Sequence, residues 1–213
     1  NEHPDALKTA FRTSAILLAF VVVFTALLSG AYLSSLPTIE AAAAEEKMRL
    51  IDEIIPRSAY DNALLKDEIG IDATPALGQN TASVAYRARK GGKPVALVLE
   101  AVAPDGYAGA IRLLLAVAPD GALLGVRVVR HKETPGLGDY IDPKKDKNKS
   151  RPWIDQFVGA NPATEEAREW KVKKDGGRFD AMSGATVTPR AVIKAVHKAA
   201  LYVAENREAL FKQ

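Results

Sequence analysis

The longest apolar pattern in the chain comes first. Positions 13–39 carry no charge, and the run from Ala15 to Leu28 is almost wholly apolar. About 20 such residues in a helix cross a bilayer, and a helix satisfies its own backbone groups in lipid. Tyr32 sits near the far end, where an amphipathic ring suits the membrane interface. The pattern predicts an N-terminal tail at 1–12, a transmembrane helix at 13–36 ended by Pro37, and a stalk together with the first helix of the soluble region at 37–80. Within the stalk, Thr38 is placed to cap a helix over 39–54, with Glu40 in its first turn and Pro56 beyond its end. A cleavable signal peptide, with Ala41 to Ala44 imitating a cleavage site, and a buried core helix are the alternatives.

Beyond residue 80 the period changes. Residues 82–90 and 94–102 read as strands, and Val95 to Leu99 is apolar enough to be buried on both sides. Pro104-Asp105-Gly106 marks a turn. Residues 110–118 and 122–130 form a hairpin about Pro119-Asp120-Gly121, since Asp-Gly is a strong turn dipeptide. A long loop from His131 to about Arg151 follows, and Trp153, Ile154 and Phe157 suggest a short helix. The last helix has Thr188 as N-cap and Pro189 at its first position. Val192, Val196, Ala199, Ala200 and Val203 then recur at helical spacing. No internal repeat is visible. The expected fold class is α+β: one N-terminal transmembrane helix, then a soluble domain at 81–213 with a small antiparallel sheet flanked by helices.

Composition narrows the chemistry. The 213 residues include no cysteine. That excludes disulfides, thiolate zinc sites and all-Cys iron–sulfur clusters. A formal net charge of +3 on a chain with 26% charged residues does not suggest nucleic acid. The run Lys144-Lys145-Asp146-Lys147-Asn148-Lys149 reads as a solvated face, or else as a docking patch for an acidic partner. Lys8 and Arg12 directly precede the apolar run, whereas Lys47 and Arg49 follow it at a distance. This bias favours a cytoplasmic N-terminus and an external domain.

Two stretches can carry chemistry. His131-Lys132-Glu133-Thr134-Pro135-Gly136-Leu137-Gly138-Asp139 follows a strand directly. Its glycines let exposed backbone approach a planar or anionic ligand, and the plain alternative is a strand-to-loop exit. Asp180-Ala181-Met182-Ser183-Gly184-Ala185-Thr186 lies just before the last helix, where free N–H groups and the positive dipole end favour a phosphate. Arg190 adds a counter-charge. The plain alternative there is that Ser183 and Thr186 simply cap and turn the chain.

Asp-x-x-Ser-Gly-Ala-Thr resembles the motif that a flavin transferase recognises. With the His-x-Glu-Thr-Pro-Gly-Leu-Gly stretch, the Gly106-Tyr107 turn with Gly109 and Ile111, and the membrane anchor, the chain resembles the G subunits of Rnf electron-transport complexes. These ion-translocating complexes work between ferredoxin and NAD. The C subunit of the sodium-pumping NADH:quinone oxidoreductase is the similar alternative, and the shortness of this chain favours the Rnf type. The resemblance implies FMN held covalently by a phosphoester to Thr186. Asp180, Ser183, Gly184 and Ala185 complete the motif, with Val187 and Thr188 beside it. Glu133, Thr134, Leu137 and Gly138 are the candidates for the flavin ring.

The same resemblance implies a redox subunit of a bacterial inner-membrane translocase with no acid–base site of its own. The implied partners are flavin- and iron–sulfur-carrying subunits and, for maturation, a flavin transferase. With the domain outside and no cysteine in the chain, those subunits must carry the electrons across. Two readings compete. A triad of Ser183, His131 and Asp139 lacks the Gly-x-Ser-x-Gly elbow. A cofactor-free anchored scaffold would carry no chromophore.

Overall fold

The computed structural model describes residues 3–212, so the first two residues of the expected N-terminal tail lie outside it. The chain divides into two compact units, residues 1–47 and Met48–Gln213. The first unit is helical throughout its described residues. Helix α1 runs His3–Ile54 with Pro37 inside it. The expected break at Pro37 does not occur. Proline removes one backbone donor and crowds the carbonyl four residues earlier. Good helix formers follow at once, from Glu40 to Leu50, and they carry the helix through. The helix is long and apolar enough to cross a membrane, and none of its most apolar 18-residue stretch is buried.

The second unit is built on a five-stranded antiparallel meander of spatial order β1-β2-β3-β4-β5. The strands are β1 (Glu68–Ile71), β2 (Ser83–Lys90), β3 (Lys93–Ala103), β4 (Ile111–Val117) and β5 (Leu123–Arg130). The α+β expectation holds, and four strands lie within a residue of their predicted limits. Strand β1 has no counterpart in the expected pattern.

Successive side chains on a strand point to opposite faces, and both faces of this sheet are covered. On one face, Leu97, Leu99, Ala101, Leu113, Leu115 and Val117 join a core with Val192, Val196, Ala199 and Val203 of helix α2 (Val187–Glu205). On the other face, Ala96, Val98, Leu114 and Ala116 pack with Leu50, Ile51, Ile54 and Ile55 at the end of α1, and with Tyr60 and Leu64. Residues from Met48 onward belong to the second compact unit.

Gly125 on β5 lies under Ile54. A Cβ there would come within 2.7 Å of the Ile54 side chain. Arg127 of β5 adds two ion pairs beside this contact, at 2.9 Å to Glu53 and 2.9 Å to Asp155.

The α2 side also holds a cluster of aromatic rings. The expected short helix is a 3-10 helix, Trp153–Phe157. Phe157 and Phe179 lie 4.8 Å apart between ring centres, and Trp170 stacks on His197 at 4.8 Å. Burial pushes the His197 imidazole below its ordinary value. A short helix, α3 (Arg207–Leu210), closes the chain.

Candidate flavin cleft

Three segments meet at the N-terminal end of α2. They are the turn between β3 and β4, the loop after β5, and the segment leading into the helix. Together they form a cleft of about 150 Å³ lined by Tyr107, Glu133, Thr134, Leu137, Gly138, Gly184, Ala185, Thr186, Val187 and Thr188.

The floor is polar and closed. Glu133 is buried at 4% exposure. Its Oε1 accepts the Ala108 N–H at 3.1 Å, and its Oε2 accepts a short hydrogen bond from the Thr188 hydroxyl. This carboxylate therefore ties the β3–β4 turn to the first turn of α2. A side chain at position 138 would not fit, since a Cβ there would fall 2.6 Å from Thr188 Oγ1 and 2.9 Å from Glu133 Oε2. The loop itself is a tight turn in which Leu137 and Gly138 both donate to the Thr134 carbonyl, at 3.1 and 3.2 Å.

The rim is apolar and open. Tyr107, Leu137 and Val187 are 70%, 49% and 45% exposed. Outside α1, only three other large apolar side chains among the described residues are exposed: Val84, Val129 and Val158. Half of the domain's exposed large apolar residues thus surround one cleft. Such clustering marks a surface that expects a partner or ligand.

Helix α2 starts earlier than expected. Its cap position is Thr186, not Thr188, and the Thr186 side chain makes no capping bond. Thr188 lies inside the first turn with its hydroxyl turned to Glu133. Pro189 is then the third helical residue, where a missing N–H also costs nothing because no intrahelical acceptor exists for it. The N–H groups of Val187 and Thr188 sit at the positive end of the helix dipole.

Arg190, one turn on, donates to Thr186 Oγ1 at 3.5 Å and makes a two-pronged pair with Asp175 at 2.7 and 2.8 Å. Hydrogen bonding to Arg190 holds the Asp175 carboxyl below the usual carboxylate value. A guanidinium beside a half-buried threonine hydroxyl, at a helix N-terminus, suits a phosphate group.

The predicted residues thus divide. Glu133, Thr134, Leu137, Gly138, Gly184, Ala185, Thr186, Val187 and Thr188 come together at the cleft. Ser183 lies exposed on the turn just before it. Asp180 faces elsewhere: its carboxylate pairs with Lys173 at 2.6 Å, and it borders a second cleft with Tyr140, Arg151 and Met182. Tyr107 is a lining residue that the sequence did not single out as a ligand. Its only signal was its place in the Gly106-Tyr107 turn. The imagined hydrolase triad finds no support. His131 Nδ1 accepts the Glu133 N–H at 3.1 Å, and Asp139 Oδ1 accepts the Gly136 N–H at 2.8 Å, so both are used to shape their own loop.

The cleft fits part of a flavin. Its apolar rim suits a planar ring and its helix end suits a phosphate, while its volume and openness leave much of such a ligand uncovered. Comparison with known proteins agrees. Residues 106–201, which contain every residue of the cleft, match the FMN-binding domain family. The G subunit of the ion-translocating oxidoreductase complex of Pseudoalteromonas atlantica is 40% identical over 94% of this chain and 91% of its own length. Its counterpart in Pseudomonas aeruginosa is 43% identical over 95% and 92%, and that of Shewanella baltica 40% identical over 96% and 95%. Among solved structures, the crystal structure of Shewanella oneidensis NqrC matches with a TM-score of 0.46 and 22% identity, over 73% of this chain and 74% of that chain. With 40% or more of the residues shared along nearly the full length of these relatives, and with the cleft inside the FMN-binding match, the chain belongs to the family of G subunits of ion-translocating oxidoreductase complexes.

Proposed function

We propose that this chain is the membrane-anchored electron carrier of an Rnf-type complex, with FMN joined through its phosphate to Thr186 Oγ1. Its family makes it a redox subunit of an ion-translocating oxidoreductase, and its FMN-binding domain and long apolar helix fit a flavin carrier held at a membrane. The covalent bond, the attachment residue and the orientation belong to the proposal. The observation that carries it is a threonine hydroxyl at a helix N-terminus, 3.5 Å from a guanidinium nitrogen and on the edge of a cleft with an apolar rim.

FMN would supply the one- and two-electron chemistry that a cysteine-free chain lacks. The chain's residues supply position. Thr186 offers the hydroxyl. In net terms that hydroxyl and the FMN phosphate condense with loss of water, and no electron moves. A flavin transferase acting in trans performs the attachment. Arg190 and the N–H groups of Val187 and Thr188 offset the charge of the phosphodiester. Leu137, Val187 and Tyr107 offer an apolar surface to the ring, and the Glu133–Thr188 bond keeps the two loops at a fixed spacing. A covalent tether removes the need for tight enclosure, which agrees with the small, open cleft.

The N-terminus is placed in the cytoplasm and the domain outside, on the strength of Lys8 and Arg12 beside the apolar run. The membrane is the bacterial inner membrane. Flavin- and iron–sulfur-carrying subunits then deliver and remove the electrons. The test is fluorescence of the protein band after denaturing electrophoresis of material made with a flavin transferase. The wild-type band is expected to fluoresce and the Thr186→Val band to be dark. A fluorescent Thr186→Val band would place the attachment elsewhere.

A further inference from the structure

The backbone of residues 180–185 is fixed by hydrogen bonds from side chains elsewhere in the domain. Met182 to Ala185 forms a tight turn, closed by the Ala185 N–H donating to the Met182 carbonyl at 3.1 Å. Gly184, at φ 83°, occupies the third position of that turn, where a positive φ favours glycine. Such a turn leaves two backbone groups at its base, the N–H of its first residue and the carbonyl of its last. One side chain satisfies both. The Tyr140 hydroxyl accepts the Met182 N–H at 3.2 Å and donates to the Ala185 carbonyl at 3.2 Å.

Tyr140 is itself fixed. It is 4% exposed, and its ring meets Trp153 edge-on with centres 5.7 Å apart. Burial raises its hydroxyl above the ordinary phenol value, so it keeps its proton and can donate at neutral pH. Trp153 continues the clamp by donating from Nε1 to the Asp180 carbonyl at 2.6 Å, and Gln156 Oε1 accepts the Asp180 N–H at 2.8 Å. Asp146 holds the Trp153 backbone in turn, accepting its N–H at 2.6 Å. None of these bonds uses the side chains of Ser183 or Thr186.

We propose that Tyr140, backed by Trp153 and Gln156, is a positioning residue for flavin attachment: it holds the 182–185 turn in one shape by its backbone and so presents Ser183 and Thr186 with their hydroxyls unengaged by the clamp. This rests on the reading that Thr186 is the attachment site. The chemical step is a transfer of FMN from a flavin dinucleotide. The pyrophosphate bond breaks, the Thr186 Oγ1–P bond forms, AMP leaves, the hydroxyl proton passes to solvent, and no electron is exchanged. A loop that samples other shapes is competent for only a fraction of the time, which raises the apparent KM by the inverse of that fraction and leaves kcat unchanged.

The experiment compares the full-length wild type with Tyr140→Phe, each incubated with FAD and a flavin transferase and followed by intact mass. Tyr140→Phe removes one oxygen and both hydrogen bonds while keeping the ring against Trp153. The expected result is a loss of roughly tenfold or more in kcat/KM, carried by KM, since both hydrogen bonds that hold the turn are lost. Faster hydrogen exchange at the Met182 amide should accompany it. A folded Tyr140→Phe chain that is modified at the wild-type rate would overturn the proposal. If that variant does not fold, Gln156→Leu at a half-buried position removes the Asp180 N–H acceptor instead. A severalfold slower attachment is then expected, and an unchanged rate counts against the clamp. A wild-type chain that takes up no flavin defeats the Thr186 reading itself, whereas normal wild-type modification with an unaffected Tyr140→Phe defeats only the role given to Tyr140.

Discussion

Two apolar runs of this chain have opposite fates. In α1, Leu18, Phe20, Val22 and Leu28 are between 58% and 70% exposed, uncovered by the rest of this chain. In β4, Leu113, Leu114, Leu115, Ala116 and Val117 are all fully buried, alternate residues facing opposite cores. Hydrophobicity is similar in the two, so it does not decide between them. Length and partners do. Seven residues of strand find a layer of their own chain on each face. A helical run that this chain itself does not cover is long and apolar enough to lie in a bilayer instead.

This contrast can be broken experimentally, and the largest effect is expected in the helix. Replacing Val21 and Phe24 together by arginine places two charges mid-span, each costing roughly 3 kcal/mol in membrane insertion. The variant is expected to leave the carbonate-resistant membrane fraction, and its retention there would deny α1 its spanning role. Next comes a matched pair. Leu114→Ala opens a cavity between β4 and the end of α1 and is expected to cost about 2–5 kcal/mol in domain unfolding by denaturant. Leu18→Ala, at an exposed position in α1, is expected to leave the same transition unmoved. Equal effects would mean that α1 packs on protein after all.

A third change probes where the two units divide. Gly125→Ala drives a methyl into Ile54 and is expected to cost about 1–3 kcal/mol. A neutral result would show that residues 48–54 are not fixed on the sheet.

The smallest effect concerns Asp67, which accepts from Arg87 Nε at 2.9 Å and from Arg89 Nε at 2.5 Å. Burial pushes its carboxyl up, but the two arginines outweigh this and hold it below the usual value. A carboxyl depressed in the folded state contributes stability at neutral pH that is lost as pH falls below the unfolded value of about 3.9. Asp67→Asn is therefore expected to cost about 1 kcal/mol at pH 7 and to flatten the acid limb of a stability–pH curve. An unchanged acid limb would assign that dependence elsewhere.

The same contrast explains what could be read without a structure. Strands β2 to β5 announced themselves by apolar runs and by the turn at Asp120-Gly121. Strand β1 did not, because Glu68-Ile69-Gly70-Ile71 is too short to show a period and contains a glycine. Pro37 read as a helix end because its local cost is visible in sequence, while the cumulative propensity of the residues beyond it is less so. The cleft was legible through two glycine-bearing motifs separated by more than forty residues. Their shared floor was not, since the Glu133–Thr188 bond joins a loop to a helix turn that sequence spacing does not bring together. Nor was Tyr140, whose role lies in bonds to two backbone groups and leaves no trace in the motif itself.

The proposed ester at Thr186 is read without an intermediary step by intact mass. Full-length protein produced with a flavin transferase is predicted to weigh one FMN less one water above the bare chain, with fragmentation placing the addition on residue 186. A bare mass, or a flavin found on another residue, would contradict the account.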